Sequence, residues 1–263
     1  MTILQALILG IVQGLAEFLP ISSSGHLVLL KNFFDIDEGV LTFTVLLHVA
    51  TLIPVFVVFW KDIVSILKNP FSRFTYLLIA ATIPAVIVAL LMGDLIENLF
   101  EGGIFLAIGF FITGVFLLYA DSVSARGGEG TKTIKAMSYF DALVIGIMQA
   151  VAIAPGISRS GSTITGALSR RLDRSSAARF SFLLSIPAIL GGAVLEIVGI
   201  ATGRVEIGHF ELLPTVVGFL AAMISGYFAI RFMLKLIKSC KLRYFSYYVF
   251  ALAAALSIDM IMG

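Results

Sequence analysis

Charge is what this sequence most lacks. Only 13% of its 263 residues are Asp, Glu, Lys or Arg, against about 25% in ordinary soluble domains. The remainder is 59% hydrophobic with a mean hydropathy of +1.06, where soluble domains run about 45–50% apolar. A soluble domain has nowhere to hide that much apolar surface, so an integral membrane protein is the class that fits. Cysteine is nearly absent too: Cys240 stands alone and excludes an internal disulfide. Three scattered histidines leave no zinc-ligand spacing. A net charge of only +2 gives no reason to expect nucleic acid as a partner. The first apolar run has no basic residue ahead of it and contains Gln13 and Glu17. That is wrong for a cleaved leader, so the run is expected to stay in the mature protein.

Hydrophobic runs are what the chain does have. Six read as spanning helices, at roughly 40–60, 74–92, 103–120, 178–200, 212–235 and 244–262. Two others, at about 2–34 and 138–168, begin as helices and are then broken by Leu19–His26 and by Ala154–Thr163. The apolar piece after each break is too short to cross about 30 Å of hydrocarbon. No soluble domain fits between the runs. The expectation is one integral membrane domain over 1–263, all-α and polytopic.

The two broken segments are copies. A shift of 136 residues lays Ala6–His26 on Ala142–Ser162 with ten identities in twenty-one positions. Gly10 meets Gly146, Gln13 meets Gln149, and Ser22, Ser24 and Gly25 meet Ser158, Ser160 and Gly161. The same shift carries three spans onto three, which predicts repeats over about 1–120 and 137–263, each an interrupted hairpin plus three transmembrane helices. An odd number of crossings per repeat turns the second copy upside down. Charge tests this arrangement. If both hairpins dip in and return, loops 61–73, 121–138, 169–177 and 235–243 share one side and hold thirteen Lys/Arg. The other side, with loops 31–39, 93–102 and 201–211, holds two. Complete crossing would split them almost evenly. The positive-inside rule favours re-entrant hairpins, with both termini and the mouth of the first hairpin facing outward.

Chemistry concentrates in those hairpins, since irregular backbone and ionisable groups at membrane depth are costly and usually functional. Gln13 and Glu17 are four apart and share a helix face. After Pro20, Ser22, Ser23, Ser24 and Gly25 open a second helix running into His26. Its free N–H groups and dipole suit an anion. Hairpin two repeats this with Ser158, Arg159, Ser160, Gly161, Ser162 and Thr163, and Arg159 suits bidentate phosphate binding. Ser23 aligns with Arg159, Glu17 with Ile153 and His26 with Ser162: one copy keeps acid, base and hydroxyl groups, the other a cationic clamp. Together they form a set for phosphoryl transfer, with Ser23 attacking, His26 beside it, Glu17 as base or cation ligand, and Arg159 against the phosphate oxygens.

Other polar groups read more simply. Glu17 could be only a structural bridge to Arg159, and Ser22–Ser24 only a capped wet turn. His48 and Thr51 read as interhelical hydrogen-bonding groups, and Gly10, Gly14, Gly146 and Ala150 as packing faces. Glu196 and Asp259 read as interfacial. Arg170, Arg171, Arg174 and Arg179 read as an orientation signal.

At these residues the sequence resembles the undecaprenyl-diphosphate phosphatases of the bacitracin-resistance type. The first family motif matches Gln13 through His26 and the second matches Pro155 through Thr163, and the likeness covers the whole chain. It implies hydrolysis of a polyprenyl diphosphate to the monophosphate and inorganic phosphate at the plasma membrane, recycling the carrier lipid for cell-wall synthesis. It implies Glu17, Ser23, His26 and Arg159 as the functional set, Ser23 being favoured as nucleophile and His26 its rival. Family members often depend on a divalent cation such as Mg²⁺ or Ca²⁺, for which Glu17 is the candidate ligand. Where some members carry Glu at the first motif position, this chain has Gln13. The expected partners are the lipid substrate and membrane lipids, with a homodimer left open. A polyprenyl-phosphate transporter or flippase is the alternative, because broken helices in inverted repeats also build carriers.

Overall fold

The protein is described by a computed structural model covering residues 1–36, 40–101, 103–126, 130–203, 211–239 and 241–262. Cys240 and parts of the three expected outward loops lie outside the described residues. Eleven α-helices and no strands are found among the described residues: α1 (Ile3–Phe18), α2 (Ser23–Phe33), α3 (Val40–Val58), α4 (Trp60–Lys68), α5 (Arg73–Glu101), α6 (Gly103–Arg126), α7 (Tyr139–Val151), α8 (Arg159–Ser169), α9 (Arg174–Ala201), α10 (Leu212–Ser239) and α11 (Arg243–Met262). Five helices (α5, α6, α9, α10 and α11) contain stretches long and apolar enough to cross a membrane, and the bent pair α3–α4 makes a sixth candidate. Large apolar side chains such as Ile83, Val86, Leu90 and Phe232 face outward, as lipid contact requires. This is a multi-pass membrane protein.

The two broken segments fold by the same local devices. Thr2 and Gln5 form a capping box at the start of α1, and Ser138 and Asp141 form one at the start of α7. Each box ties two otherwise unpaired backbone N–H groups. α1 stops ahead of Pro20, because the residue before proline is pushed out of helical geometry, and α7 ends at Val151, four residues before Pro155. The return helices α2 and α8 have 11 residues each. At 1.5 Å per residue each extends only about 16 Å. Ser22 Oγ accepts from the Gly25 amide at 3.3 Å and Ser158 Oγ from the Gly161 amide at 3.1 Å.

Small residues set the packing. A Cβ on Gly10 would run into the Gly218 carbonyl oxygen, and one on Gly14 into that of Ala222, so α1 lies hard against α10. Gly146 in α7 meets the Ala81 carbonyl oxygen of α5 in the same way, where a Cβ would lie 2.6 Å away. Each hairpin's first helix therefore packs on a spanning helix of the other half of the sequence. Phe18, at the end of α1, is fully buried and meets the Phe182 ring of α9 edge-on at 5.6 Å.

Two features differ from the sequence expectation. Loop 61–73 contains a helix: the chain bends 85° after Val58 into α4, whose Asp62 pairs with Arg179. The arginine cluster is also more than an orientation signal. Arg170 and Lys132 flank the buried Asp141 carboxylate at 2.9 and 2.8 Å. Arg243 meets Asp121 at 2.7 Å, with Arg174 close to the same carboxylate. These pairs tie loops and helix ends together along the side where basic residues concentrate.

Candidate active site

Glu17 is the hub. It sits one residue from the end of α1 with its side chain 4% exposed, and its carboxylate gathers groups from three elements. Gln13, one turn earlier, donates from Nε2 to Oε2 at 2.9 Å. The Ser23 hydroxyl, at the start of α2, donates to the same oxygen at 2.6 Å. The Arg159 guanidinium, at the start of α8, donates to Oε1. A buried carboxylate is tolerated when paired and hydrogen-bonded in this way. Ser23 and Arg159, each the first residue of its helix, thus meet through Glu17.

The hairpin tips also touch directly. Ser160 Oγ donates to the Leu19 carbonyl at 3.1 Å, and a Cβ on Gly161 would lie 3.4 Å from Pro20 Cβ. The serine pairs mirror each other: Ser22 Oγ and Ser24 Oγ are 3.3 Å apart, as are Ser158 Oγ and Ser160 Oγ. Gly25 packs on the Phe110 ring. Thr163 turns away from the carboxylate, sharing its hydroxyl between the Arg159 carbonyl at 2.8 Å and Ser181 Oγ at 2.6 Å. Gln13 Oε1, Gln149 Oε1 and Ser162 Oγ are buried without a protein partner. Such atoms leave hydrogen-bonding capacity for water or a ligand.

His26 stands apart from this cluster. Its Nδ1 lies 2.7 Å from the Ser22 carbonyl and its Nε2 lies 2.8 Å from the Tyr248 hydroxyl. His48, read from sequence as an interhelical hydrogen-bonding group, bonds instead within its own helix, Nδ1 to the Thr44 carbonyl at 2.8 Å. A carbonyl only accepts, so Nδ1 carries the proton, and Nε2 is left facing Glu17 Oε2 at 3.6 Å. Sequence reasoning missed this neighbour of the carboxylate. The available signal was a histidine at mid-span in an apolar helix.

The donor set does not fit a resident cation. Both Glu17 oxygens already accept from protein donors, one of them a guanidinium. Among the described residues no three His, Cys, Asp or Glu side chains gather as ligands. A hard cation asks for several free oxygens.

A polytopic helical membrane protein whose two broken hairpins join a carboxylate, a serine hydroxyl and a guanidinium has the parts of a membrane phosphoryl-transfer enzyme. The chain belongs to the BacA family: the model described as bacitracin resistance protein BacA matches residues 6–255. It is 48% identical over 254 residues to the undecaprenyl-diphosphatase of Carboxydothermus hydrogenoformans, covering 97% of this chain and 96% of that protein. It is 45% identical to an undecaprenyl-diphosphatase 4 of Bacillus cereus, covering 95% of this chain and 94% of the relative. With the undecaprenyl-diphosphatase of Methanosphaera stadtmanae it shares 42% identity over 94% of each chain.

Proposed function

We propose that this chain is an undecaprenyl-diphosphatase, hydrolysing the lipid diphosphate to the monophosphate and inorganic phosphate. It thereby recycles the carrier lipid for cell-wall synthesis and confers bacitracin resistance. The observation that carries this reading is the Ser23–Glu17–Arg159 contact across the two hairpins. Ser23 Oγ attacks the terminal phosphorus while Glu17 takes its proton. The bond from phosphorus to the bridging oxygen breaks, and polyprenyl monophosphate leaves. Water then attacks the phosphoserine, releasing inorganic phosphate and restoring the Ser23 hydroxyl. Arg159 and the α2 and α8 N-termini, with Ser22, Ser24, Gly25, Ser158, Ser160 and Gly161, balance the phosphate charge. No step runs through a cation.

The two halves are an inverted repeat with re-entrant hairpins. This is supported by the matched capping boxes, the matched serine caps and the packing of each hairpin on the opposite half. The basic loops then lie in the cytoplasm, and both termini and the mouth of hairpin one lie outside.

Purified protein in detergent, with no sealed compartment, is expected to release phosphate from a polyprenyl diphosphate, which a carrier cannot do. Ser23→Ala is expected to abolish release in a folded protein, and a phosphoryl group trapped from labelled substrate to map to Ser23. Wild-type activity in Ser23→Ala would refute the assignment.

A further inference from the structure

Ser22 is built differently from its mirror residue. Its φ is 69° and ψ 97°, a left-handed conformation that L side chains rarely adopt. Ser158 performs the same capping job with an ordinary φ of −72° and ψ of 118°. Capping therefore does not demand the unusual backbone.

What hairpin one has in addition is His26. The Ser22 carbonyl accepts twice from this residue, from its backbone N–H at 3.2 Å and from its imidazole at 2.7 Å. In hairpin two the backbone bond from Ser162 to Ser158 is present at 2.8 Å, but the Ser162 hydroxyl is unpartnered. Because a carbonyl only accepts, Nδ1 of His26 carries the proton, and Nε2 of the neutral ring accepts from Tyr248 at 2.8 Å. The ring is held on both sides: Tyr248 of α11 stacks on it at 5.7 Å, and Phe110 of α6 meets it edge-on at 5.5 Å. Neither nitrogen is directed at Ser23 or Glu17.

The reason for the asymmetry lies in side-chain reach. Arg159 is long enough to find Glu17 from an ordinary cap. Serine has one bond beyond Cβ, so the backbone itself must deliver the Ser23 hydroxyl to its 2.6 Å contact with Glu17. We propose that His26 is a positioning residue: clamped by Tyr248, it holds Ser22 in the left-handed turn that aims Ser23 at Glu17. The inference rests on Ser23 as the attacking group.

Phosphate release in detergent tests it with four changes. His26→Ala is expected to lower kcat about 100-fold with KM changed less than about twofold, the scale of a small misplacement of a reacting group. His26→Asn, whose amide N–H takes the place of Nδ1–H, is expected to regain at least about tenfold over alanine, whereas His26→Gln, which reaches towards the Nε2 position, is not. Tyr248→Phe, which keeps the stack and loses the hydroxyl, is expected to cost about threefold to tenfold in kcat. Ser22→Gly in the His26→Ala background is expected to raise kcat at least about fivefold, since glycine adopts positive φ without steric cost. An asparagine variant as inactive as alanine, or a glycine double variant no better than His26→Ala, overturns the positioning role while Ser23→Ala remains inactive. Full activity in Ser23→Ala instead removes the reading beneath it.

Discussion

Arg159 and Glu17 form an ion pair although 142 residues separate them in the chain. The arginine opens the return helix of hairpin two and the glutamate closes the entry helix of hairpin one, so this contact joins the two copied segments. Their side chains are 17% and 4% exposed, so Glu17 in particular has little access to water when its partner is lost. Removing one end therefore affects both folding and chemistry.

Arg159→Ala is expected to lower the thermal midpoint in detergent as well as phosphate release. Breaking a buried pair from one side costs about 3–5 kcal/mol, and losing a preorganised cation costs about 100- to 1000-fold in kcat. Adding Glu17→Gln to that variant recovers part of the midpoint and none of the activity. An unshifted midpoint in Arg159→Ala would show that the pair does not hold the hairpins together.

Gly14 lies one turn before Glu17, and a Cβ there would overlap Ser225 Oγ and the Ala222 carbonyl oxygen and lie 2.6 Å from the Gly226 amide nitrogen. Gly14→Ala must push α1 away from α10 and carry Glu17 with it. The expected cost is about 1–3 kcal/mol of overpacking, read as a lower thermal midpoint with a parallel loss of activity. Gly191→Ala, which meets nothing within 4 Å, is the control and leaves both unchanged.

Asp141 is expected to make stability depend on acid pH. Burial alone would raise its carboxyl above the ordinary 3.8, but hydrogen bonds from Lys132, the Ser138 amide and Arg170 hold it well below that value. A depressed carboxyl pKa stabilises the folded state above the unfolded pKa, and that stability is lost as pH falls through the folded value. Asp141→Asn is therefore expected to melt below wild type at neutral pH, with the gap narrowing as pH falls below about 4. A pH-independent gap would contradict this linkage.

Topology is open to direct labelling. In a Cys240→Ser background, a cysteine placed at Glu211 is expected to react with an impermeant reagent added to intact cells, and one placed at Lys68 only after permeabilisation. The opposite pattern would reverse the orientation drawn from loop charge.

The spanning helices and the two broken apolar segments were legible because the membrane makes length and composition decisive. Apolar segments at 2–34 and 138–168 became α1–α2 and α7–α8, and the short return pieces followed from the breaks at Pro20 and Pro155. The Gln13–Glu17 bond was legible for a local reason, since four residues bring side chains onto one helix face. The serine caps at Ser22 and Ser158 were local as well. α4 was not legible: eight of its nine residues fell in the stretch that the loop charge assigned to a connection, yet the chain bends 85° into an amphipathic helix whose Asp62 pairs with Arg179.

By itself, the sequence determined the class of the protein, the places of its long apolar helices, the duplicated motif and the types of groups available, because all of these depend on hydrophobicity and on spacing along one segment. Which groups meet was decided only by the tertiary structure. His26 and Ser23 are neighbours in the chain yet face different helices, while His48 and Arg159 arrive at Glu17 from distant ones. Helical periodicity sets the direction of a side chain relative to its own axis, and the packing of one axis on another sets what that direction meets.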